Sequence, residues 1–177
     1  KTKVRFTLTK FNYLSSVVHS SKDIKDIPKL TTETYTPNGS TALLDAVGKT
    51  LNDIDNTVKK QYNKKLQPKI LTIVFTDGFE NASHEFNSEN ITKMIKDRQE
   101  KPNYTFVFLG ADQNAWAQSQ GLGFTKGCTM SYNSKNTRST FDKLCISTQC
   151  YLSNAEQKTS GNFFIDTKNN GGTDAKV

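Results

Sequence analysis

The sequence predicts an α/β fold: a Rossmann-like three-layer sandwich with a mostly parallel central sheet, one antiparallel edge strand and helices on both faces. Two apolar runs, "KILTIVF" (69–75) and "YTFVFLG" (104–110), are typical of inner strands that are covered on both faces. After "KILTIVF", a largely polar segment has its apolar residues at helical spacing. This alternation of strand and helix is the order that builds a parallel sheet.

The chain opens with a segment of alternating character, "KVRFTLTKF" (3–11). Val4, Phe6 and Leu8 recur with the period of a half-buried strand. After a short turn, "NYLSSVVHS" (12–20) is predicted to contain an antiparallel partner of this strand, from Leu14 to His19. The hairpin therefore supplies the antiparallel part of the predicted sheet.

The first helix is predicted to begin at Thr41. Apolar residues then recur on one helical face, at Leu43, Leu44, Val47, Leu51, Ile54 and Val58. The segment "TPNGS" (36–40) before this helix has the composition of a turn, and Ser40 is predicted to be the helix N-cap.

Two further helices are predicted in the middle of the chain. The segment "NSENITKMIKDRQEK" (87–101) has inward-facing Ile91 and a candidate cap at Ser88. The segment "DQNAWAQSQG" (112–121) is predicted to be a short helix that Gly121 closes.

The last elements are a weaker strand, "GCTMSY" (127–132), and a final amphipathic helix (136–157). The face of this helix that we expect to point inward comprises Phe141, Leu144, Cys145, Thr148 and Leu152. We treat residues 1–158 as one domain and residues 159–177 as a partly loose tail, in which 162–167 is expected to pack back.

The composition argues against two classes of partner. The net charge is +7, and its densest cluster, "KKQYNKKLQPK" (59–69), falls where the first helix should end, a position that suits lysines because of the helix dipole. No arginine-rich groove or aromatic ladder accompanies this cluster, so a nucleic-acid partner is not expected. No apolar run approaches the roughly 20 residues needed to span a bilayer, so a membrane partner is not expected either.

The cysteines and the start of the sequence bear on localisation. Cys128, Cys145 and Cys150 are odd in number and lack CxxC spacing, which indicates reduced thiols. No signal-like charged-then-apolar start is present. We therefore expect a cytoplasmic or virion-associated protein that is not secreted.

A threonine and an aspartate are the candidate metal ligands. Asp77 comes just after the first apolar strand, and Thr41 begins the first predicted helix. Both positions belong to the edge formed by the carboxyl ends of parallel strands, where ligands collect in such sheets. A hydroxyl and a carboxylate are oxygen ligands of the kind that Mg²⁺ accepts, and Mn²⁺ or Ca²⁺ would also suit them.

Other residues are expected to support these two ligands. Gly78 would let the backbone bend beside the ion, and Asp45, one helical turn after Thr41, could hold a neighbouring loop. The full supporting set comprises Ser40, Asp45, Gly78, Glu80 and Asp112. The two candidate ligands and two of the supporting residues also have a simple structural interpretation. Thr41 would be part of a helix cap and Asp77 part of a turn pair. Glu80 would be a solvated loop charge, and Asp112 would cap the following helix.

The ordered segments "TPNGSTALLDAV", "ILTIVFTDGFENAS" and "YTFVFLGADQNAWA" resemble the von Willebrand factor type A (vWA) domain, in particular its small bacterial and phage-type members. The resemblance covers most of residues 3–155. The family carries a metal-ion-dependent adhesion site (MIDAS), and the resemblance implies that Thr41 matches its ligand threonine and Asp77 its ligand aspartate.

The sequence departs from the family in one respect. The family's remaining ligands come from an Asp-x-Ser-x-Ser loop after its first strand, and this sequence has no such motif. The missing strand, loop and helix would amount to roughly 35–45 residues. They lie upstream, they are supplied by another chain, or the protein is a degenerate relative that pairs its strand edges differently.

Three functions follow as alternatives. The first is a non-enzymatic protein-binding module, whose divalent ion engages an acidic residue of a protein partner. The second is a metal-free structural component of a phage particle or another large assembly. The third, a Mg²⁺-dependent phosphohydrolase using Asp77, is the weakest, because "FTDG" lacks a second Asp and no GK[ST] phosphate loop is present.

Overall fold

A computed structural model describes residues 3–36, 38–63, 67–111, 115–133, 135–153 and 161–164 of the protein. It is a mixed α/β structure. In chain order its elements are β1 (Arg5–Phe11), β2 (Ser15–Asp23), α1 (Leu43–Gln61), β3 (Ile70–Thr76), α2 (Ser88–Gln99), β4 (Tyr104–Ala111), α3 (Ala115–Gly121), β5 (Thr129–Tyr132) and α4 (Thr137–Ser153).

The parallel part of the predicted sheet is confirmed. Strands β3, β4 and β5 form a three-stranded parallel sheet in that order. Ile70 pairs with Tyr104 and Thr76 with Gly110, so β3 and β4 are in register over their whole common length. Every residue of β4 except Ala111 is buried, as expected for a strand with neighbours on both sides.

The hairpin is present but is not part of this sheet. Strands β1 and β2 pair only with each other, antiparallel, and form a separate two-stranded sheet. The hairpin is attached to α1 instead: the Ala42 amide donates to the Asn12 carbonyl over 2.6 Å, and the Thr50 hydroxyl donates to the Thr9 hydroxyl over 3.0 Å. Helix α1 therefore packs against both sheets.

The apolar core is divided between the two faces of the parallel sheet. Alternate side chains of β4 point to opposite faces. On one face, Phe106 and Phe108 pack with α1 and α2. On the other face, Val107 packs with Cys128, with Tyr151 of α4 and with Phe163. The expectation that the segment after residue 161 packs back holds for the described residues 161–164, since the Phe163 and Phe164 amides donate to the Gly127 carbonyl.

One face of β3 is poorly covered. Ile73 is 39% exposed and Phe75 is 42% exposed, although both lie on an apolar strand of a parallel sheet. The Phe75 ring contacts the Phe141 ring of α4 at a centroid distance of 5.3 Å, and Phe141 is itself 42% exposed. An exposed apolar surface therefore extends from β3 to the side of α4.

The predicted inward face of α4 is wrong in part. Thr140, Ser147 and Tyr151 are the buried residues of this helix. Of the predicted set, Phe141, Cys145 and Leu152 are exposed, and Leu144 and Thr148 are partly buried. The helix buries two small polar side chains and the Tyr151 ring, and of the apolar stripe read from the sequence Phe141 contacts Phe75 of β3.

In the described ranges, no helix combines the length and the apolar character needed to cross a membrane. The three cysteines are free thiols, with Cys128 buried and the other two exposed.

A prediction concerns Gly48, in the middle of α1. A Cβ at this position would lie 2.7 Å from the Phe86 ring, too close for a real contact. We expect Gly48→Ala to lower the free energy of unfolding by about 1–3 kcal/mol, because overpacking outweighs the better helix propensity of alanine. The measurement is urea unfolding followed by circular dichroism.

The matched control is Gly121→Ala in the last turn of α3, where an added Cβ meets nothing within 4 Å. This variant should be as stable as the parent protein or slightly more stable. A Gly48→Ala variant that is stabilised like the control would contradict the close packing of α1 against Phe86.

Candidate functional site

The candidate site lies where the loop after β3 meets the start of α1. Helix α1 begins at Leu43, and its N-cap is Ala42, which makes no side-chain capping bond. The prediction that Ser40 is the N-cap is therefore wrong, and Thr41 precedes the helix instead of opening it. The capping groups come from the loop after β3, which is distant in sequence.

Glu80 takes over the capping role. Its carboxylate accepts hydrogen bonds from the Leu44 amide at 2.8 Å, from the Ala82 and Ser83 amides at 2.9 and 2.8 Å, and from the Ser83 hydroxyl at 2.8 Å. The Ser83 hydroxyl in turn accepts from the Asp45 amide at 3.1 Å. Glu80 is thus partly buried and fully engaged, which corrects the reading of it as a solvated loop charge. Its negative charge also suits the positive end of the helix dipole.

Asp45 holds the same loop further along, as expected from its place one turn into α1. Its carboxylate accepts from three consecutive amides, those of His84, Glu85 and Phe86, at 2.9–3.0 Å. Asp45 is only 7% exposed. A buried carboxylate needs such partners, and here each donor belongs to the loop.

A reciprocal contact fixes Thr41 itself. The Thr41 amide donates to the Asn81 side-chain oxygen at 2.8 Å, and the Asn81 amide donates to the Thr41 carbonyl at 3.0 Å. The backbone groups of Thr41 are therefore satisfied by the loop. In contrast, none of the described residues forms a hydrogen bond with the Thr41 hydroxyl.

Gly78 lies directly against this hydroxyl. A Cβ at Gly78 would overlap with Thr41 Oγ1, so only glycine permits this approach. The reason is steric, because the φ of Gly78 is not positive, whereas Gly39 in the preceding turn has a φ of +79°. Gly78 is held by Thr76, whose hydroxyl accepts from the Gly78 amide, and by Gln118, whose amide donates to the Gly78 carbonyl.

Asp77 directly follows β3, as predicted, and its side chain is exposed. Within the described ranges its carboxylate forms neither a hydrogen bond nor an ion pair. The structure therefore brings the segment of Asp77 and Gly78 beside the Thr41 hydroxyl. Among the described residues, neither the Thr41 hydroxyl nor the Asp77 carboxylate has a hydrogen-bond partner; the first lies against Gly78, and the second belongs to the residue before it.

The charges that hold the loop remain ionised to low pH. Burial by itself would raise the pKa of Glu80, but the hydrogen bonds from the Leu44 amide and from Ser83 outweigh burial and leave this pKa below its ordinary value. Burial likewise opposes ionisation of Asp45, and three loop amides together with Lys49 lower its pKa in spite of it.

Thr41 and Asp77 could provide two oxygen ligands for a hard divalent cation, and their lack of other partners fits that use. They are too few to bind it strongly. Among the residues that the structure describes, no group of three or more His, Cys, Asp or Glu side chains is placed to hold a metal ion. The remaining ligands must be water, or oxygen atoms that another segment supplies. Asp112 lies outside the described residues.

A second concave feature lies elsewhere and offers less chemistry. A depression of about 470 Å³ runs between β1, β2 and α1, with Asp53 and Phe86 on its wall. Its other charged residues, Lys49 and Glu85, form an ion pair at 2.6 Å and satisfy one another. We therefore place the candidate site at Thr41 and Asp77.

Sequence reasoning missed three residues that build this site: Asn81, Ser83 and Gln118. For the first two a signal was present, because "ENAS" (80–83) places amide and hydroxyl side chains of the kind that cap helices shortly after the Asp77–Gly78 pair. No local pattern indicates that they cap a helix some 40 residues earlier in the chain.

The lowered pKa of Glu80 predicts a particular pH dependence. A carboxylate whose pKa is depressed by folding stabilises the fold above its ordinary pKa, 4.5 for Glu80, and this contribution is lost as the pH falls through the folded value. We expect the urea concentration at the midpoint of unfolding to decrease as the pH is lowered below about 4.5. In Glu80→Gln this decrease should be less steep.

At pH 7, Glu80→Gln should lower the free energy of unfolding by about 1–2 kcal/mol, because charged hydrogen bonds to the helix start are weakened. Glu33→Gln, at an exposed loop position, is the control and should behave like the parent protein. If the two variants had the same stability and the same pH dependence, Glu80 would not hold the loop.

No protein-family model matches the chain, and no curated protein is significantly similar to it.

Proposed function

We propose that this protein is a metal-ion-dependent protein-binding module of the adhesion type. Thr41 and Asp77 provide two ligands of a divalent cation, and a carboxylate of the protein partner completes its coordination. The observation that carries this proposal is the Thr41 hydroxyl, which lies against Gly78 of the loop after β3 and forms no hydrogen bond with any described residue; the exposed Asp77 is the residue directly before Gly78. The proposed role is binding and not catalysis.

The cation in this proposal is Mg²⁺, with Mn²⁺ or Ca²⁺ as substitutes, because all three accept oxygen ligands. When bound, it supplies a positive charge that is incompletely neutralised and therefore attracts an external carboxylate. Glu80 and Asp45 keep the loop and the helix start in place, and Gly78 leaves room between them. Ser40 is not part of this support.

The fold supports a related proposal, that the protein has the three-layer arrangement of a vWA domain with one part absent. The resemblance places a strand between the hairpin and β3, and the Asp-x-Ser-x-Ser ligands directly after that strand. In the structure, β1 and β3 belong to separate sheets that both pack against α1. Ile73 and Phe75 of β3 are exposed, as expected for a strand that lacks a covering layer.

We propose further that an upstream segment or another chain completes the sheet beside β3. Unpaired edges of apolar strands are a liability that proteins normally cover. The completing segment would also supply the ligands that Thr41 and Asp77 lack. Such a module would work in the cytoplasm or on a virion.

A second candidate function rests on the same exposed surface. The apolar side chains of Ile73, Phe75 and Phe141 form a patch of the kind that is buried in large assemblies. A metal-free structural component of a phage particle or another assembly would bury this patch and would leave Thr41 and Asp77 without a cation.

The cation proposal is tested by titrating the protein with MgCl₂ and MnCl₂ in a calorimeter. We expect weak binding, with a Kd on the order of millimolar, because few protein ligands are present. Asp77→Ala should abolish binding and Thr41→Ala should weaken it, with little effect on unfolding. Asp53→Ala, which removes an exposed carboxylate from α1, should change neither. Equal binding by Asp77→Ala and the parent protein would favour the metal-free alternative.

The sheet proposal is tested by amide hydrogen exchange of the 177-residue chain alone. In a parallel edge strand, alternate amides point away from the single neighbour. We therefore expect alternate amides of β3 to exchange rapidly, while those of β4 are protected. Uniform protection of β3 would show that its edge is already covered.

A further inference from the structure

The depression between the hairpin and α1 has no part in the candidate site. Its volume of about 470 Å³ lies within the roughly 300–1,000 Å³ that is usual for small-molecule pockets. Its lining comes from three segments: the hairpin, the middle of α1 and the end of the loop after β3. Its side chains are mostly polar, which distinguishes it from the exposed apolar surface of β3 and α4.

Contacts at the depression hold its three segments in place. The Thr50 hydroxyl donates to the Thr9 hydroxyl over 3.0 Å and joins α1 to the hairpin. The Asp45 carboxylate accepts from the Glu85 and Phe86 amides, both at 2.9 Å, and so fixes the backbone of the loop. A site held in this way loses little conformational entropy when a ligand binds.

The charges of the lining favour a ligand without net charge. Among the described residues that form it, Lys49 is the only cation, and its Nζ is paired with the Glu85 carboxylate at 2.6 Å. Asp53 adds a second carboxylate, so a phosphate or sulfate would meet more negative than positive charge. The net charge of +7 of the whole chain in turn opposes a strongly cationic ligand.

Three polar side chains of the lining have unused hydrogen-bonding capacity. The Ser15 hydroxyl, the Asn52 amide and the Asp53 carboxylate form no hydrogen bond with any other residue that the structure describes. Between them these groups can both donate to and accept from ligand hydroxyls. The lining therefore matches a ligand that presents several hydroxyl groups at close spacing.

Phe86 gives the same depression an apolar surface in a fixed position. A Cβ at Gly48 would lie 2.7–2.8 Å from three atoms of the Phe86 ring, so this ring is packed closely against α1. Val17, which is 49% exposed, adds an apolar side chain from the hairpin. The face of an aromatic ring carries partial negative charge and attracts the weakly positive C–H groups of a sugar ring.

We infer that this depression binds a neutral polyhydroxylated ligand, a sugar residue of a glycan. Hydroxyl groups of the sugar bond to Asn52 and Asp53, and the C–H face of its ring packs on Phe86. Asn52 and Asp53 are exposed, so the site is open to solvent and leaves room for the neighbouring sugars of a chain. This binding is independent of Thr41, of Asp77 and of any cation.

The test is an NMR titration of the isotope-labelled 177-residue protein with free hexoses, deoxyhexoses and N-acetylhexosamines, and with trisaccharides of these sugars. Sodium phosphate and spermidine are the anionic and cationic comparison probes. The shifts of backbone amide signals show where each probe binds, and their concentration dependence gives the Kd. The lining variants are Asn52→Ala and Asp53→Ala. Their matched controls are Asn56→Ala and Asp97→Ala, which change exposed helix residues outside the depression.

If the inference is correct, at least one trisaccharide shifts the amide signals of Val17, Thr50 and Phe86 saturably. The Kd should be on the order of millimolar, because each exposed hydrogen bond contributes little. Asn52→Ala and Asp53→Ala should each weaken this binding about threefold to tenfold, as expected for the loss of one hydrogen bond. The two controls should bind like the parent protein.

The inference is overturned if no sugar shifts these signals at concentrations far above millimolar, or if the lining variants bind as tightly as their controls. Binding of phosphate or spermidine in the depression, without binding of sugars, overturns it as well. Binding of free sugars but of no trisaccharide overturns the assignment to a glycan.

The proposed function fails separately. Asp77→Ala, and the parent protein in EDTA, should bind the sugar as the parent protein does in MgCl₂. Loss of sugar binding in either case would contradict the independence of the two sites.

Discussion

The docking of one loop on the first turn of α1 is the constraint on which the candidate site depends. Glu80 and Asp45 are carboxylates with lowered pKa values, and between them they accept hydrogen bonds from six backbone amides and one hydroxyl. Because the donors come from both the loop and the helix start, these two segments cannot separate without leaving buried charges unsatisfied. Among the residues that the structure describes, the side chains of Thr41 and Asp77 take no part in these contacts.

The second constraint is the division of the strands between two sheets. Helix α1 packs against both the hairpin and the parallel sheet, so it fixes their relative position without strand pairing between them. Ile73 and Phe75 of β3 are exposed, although five of the seven residues of this strand are apolar. Thr41 and Asp77 are the candidate oxygen ligands at this edge, and in the described part of the chain no group of three or more His, Cys, Asp or Glu side chains is placed to hold a metal ion.

The large apolar residues form two groups, one buried in the core and one exposed at the surface. Those of β4 are buried and hold the two faces of the core together. Others are exposed, among them Phe141, Ile146 and Leu152 of α4 and the large side chains of the turns near Thr41. Exposed apolar area of this kind does not stabilise the isolated chain. Burying it against another molecule would contribute favourably to the free energy of binding.

Local periodicity and turn signals were sufficient to predict the order and type of the elements, the parallel pairing of the central strands and the position of Asp77 after β3. They also indicated that Asp45 would hold a loop. They did not predict that Glu80 replaces Ser40 at the start of α1, that Gly78 lies against the Thr41 hydroxyl, or that Phe141 is exposed. Each of these depends on contacts between segments distant in the chain, which no local pattern encodes.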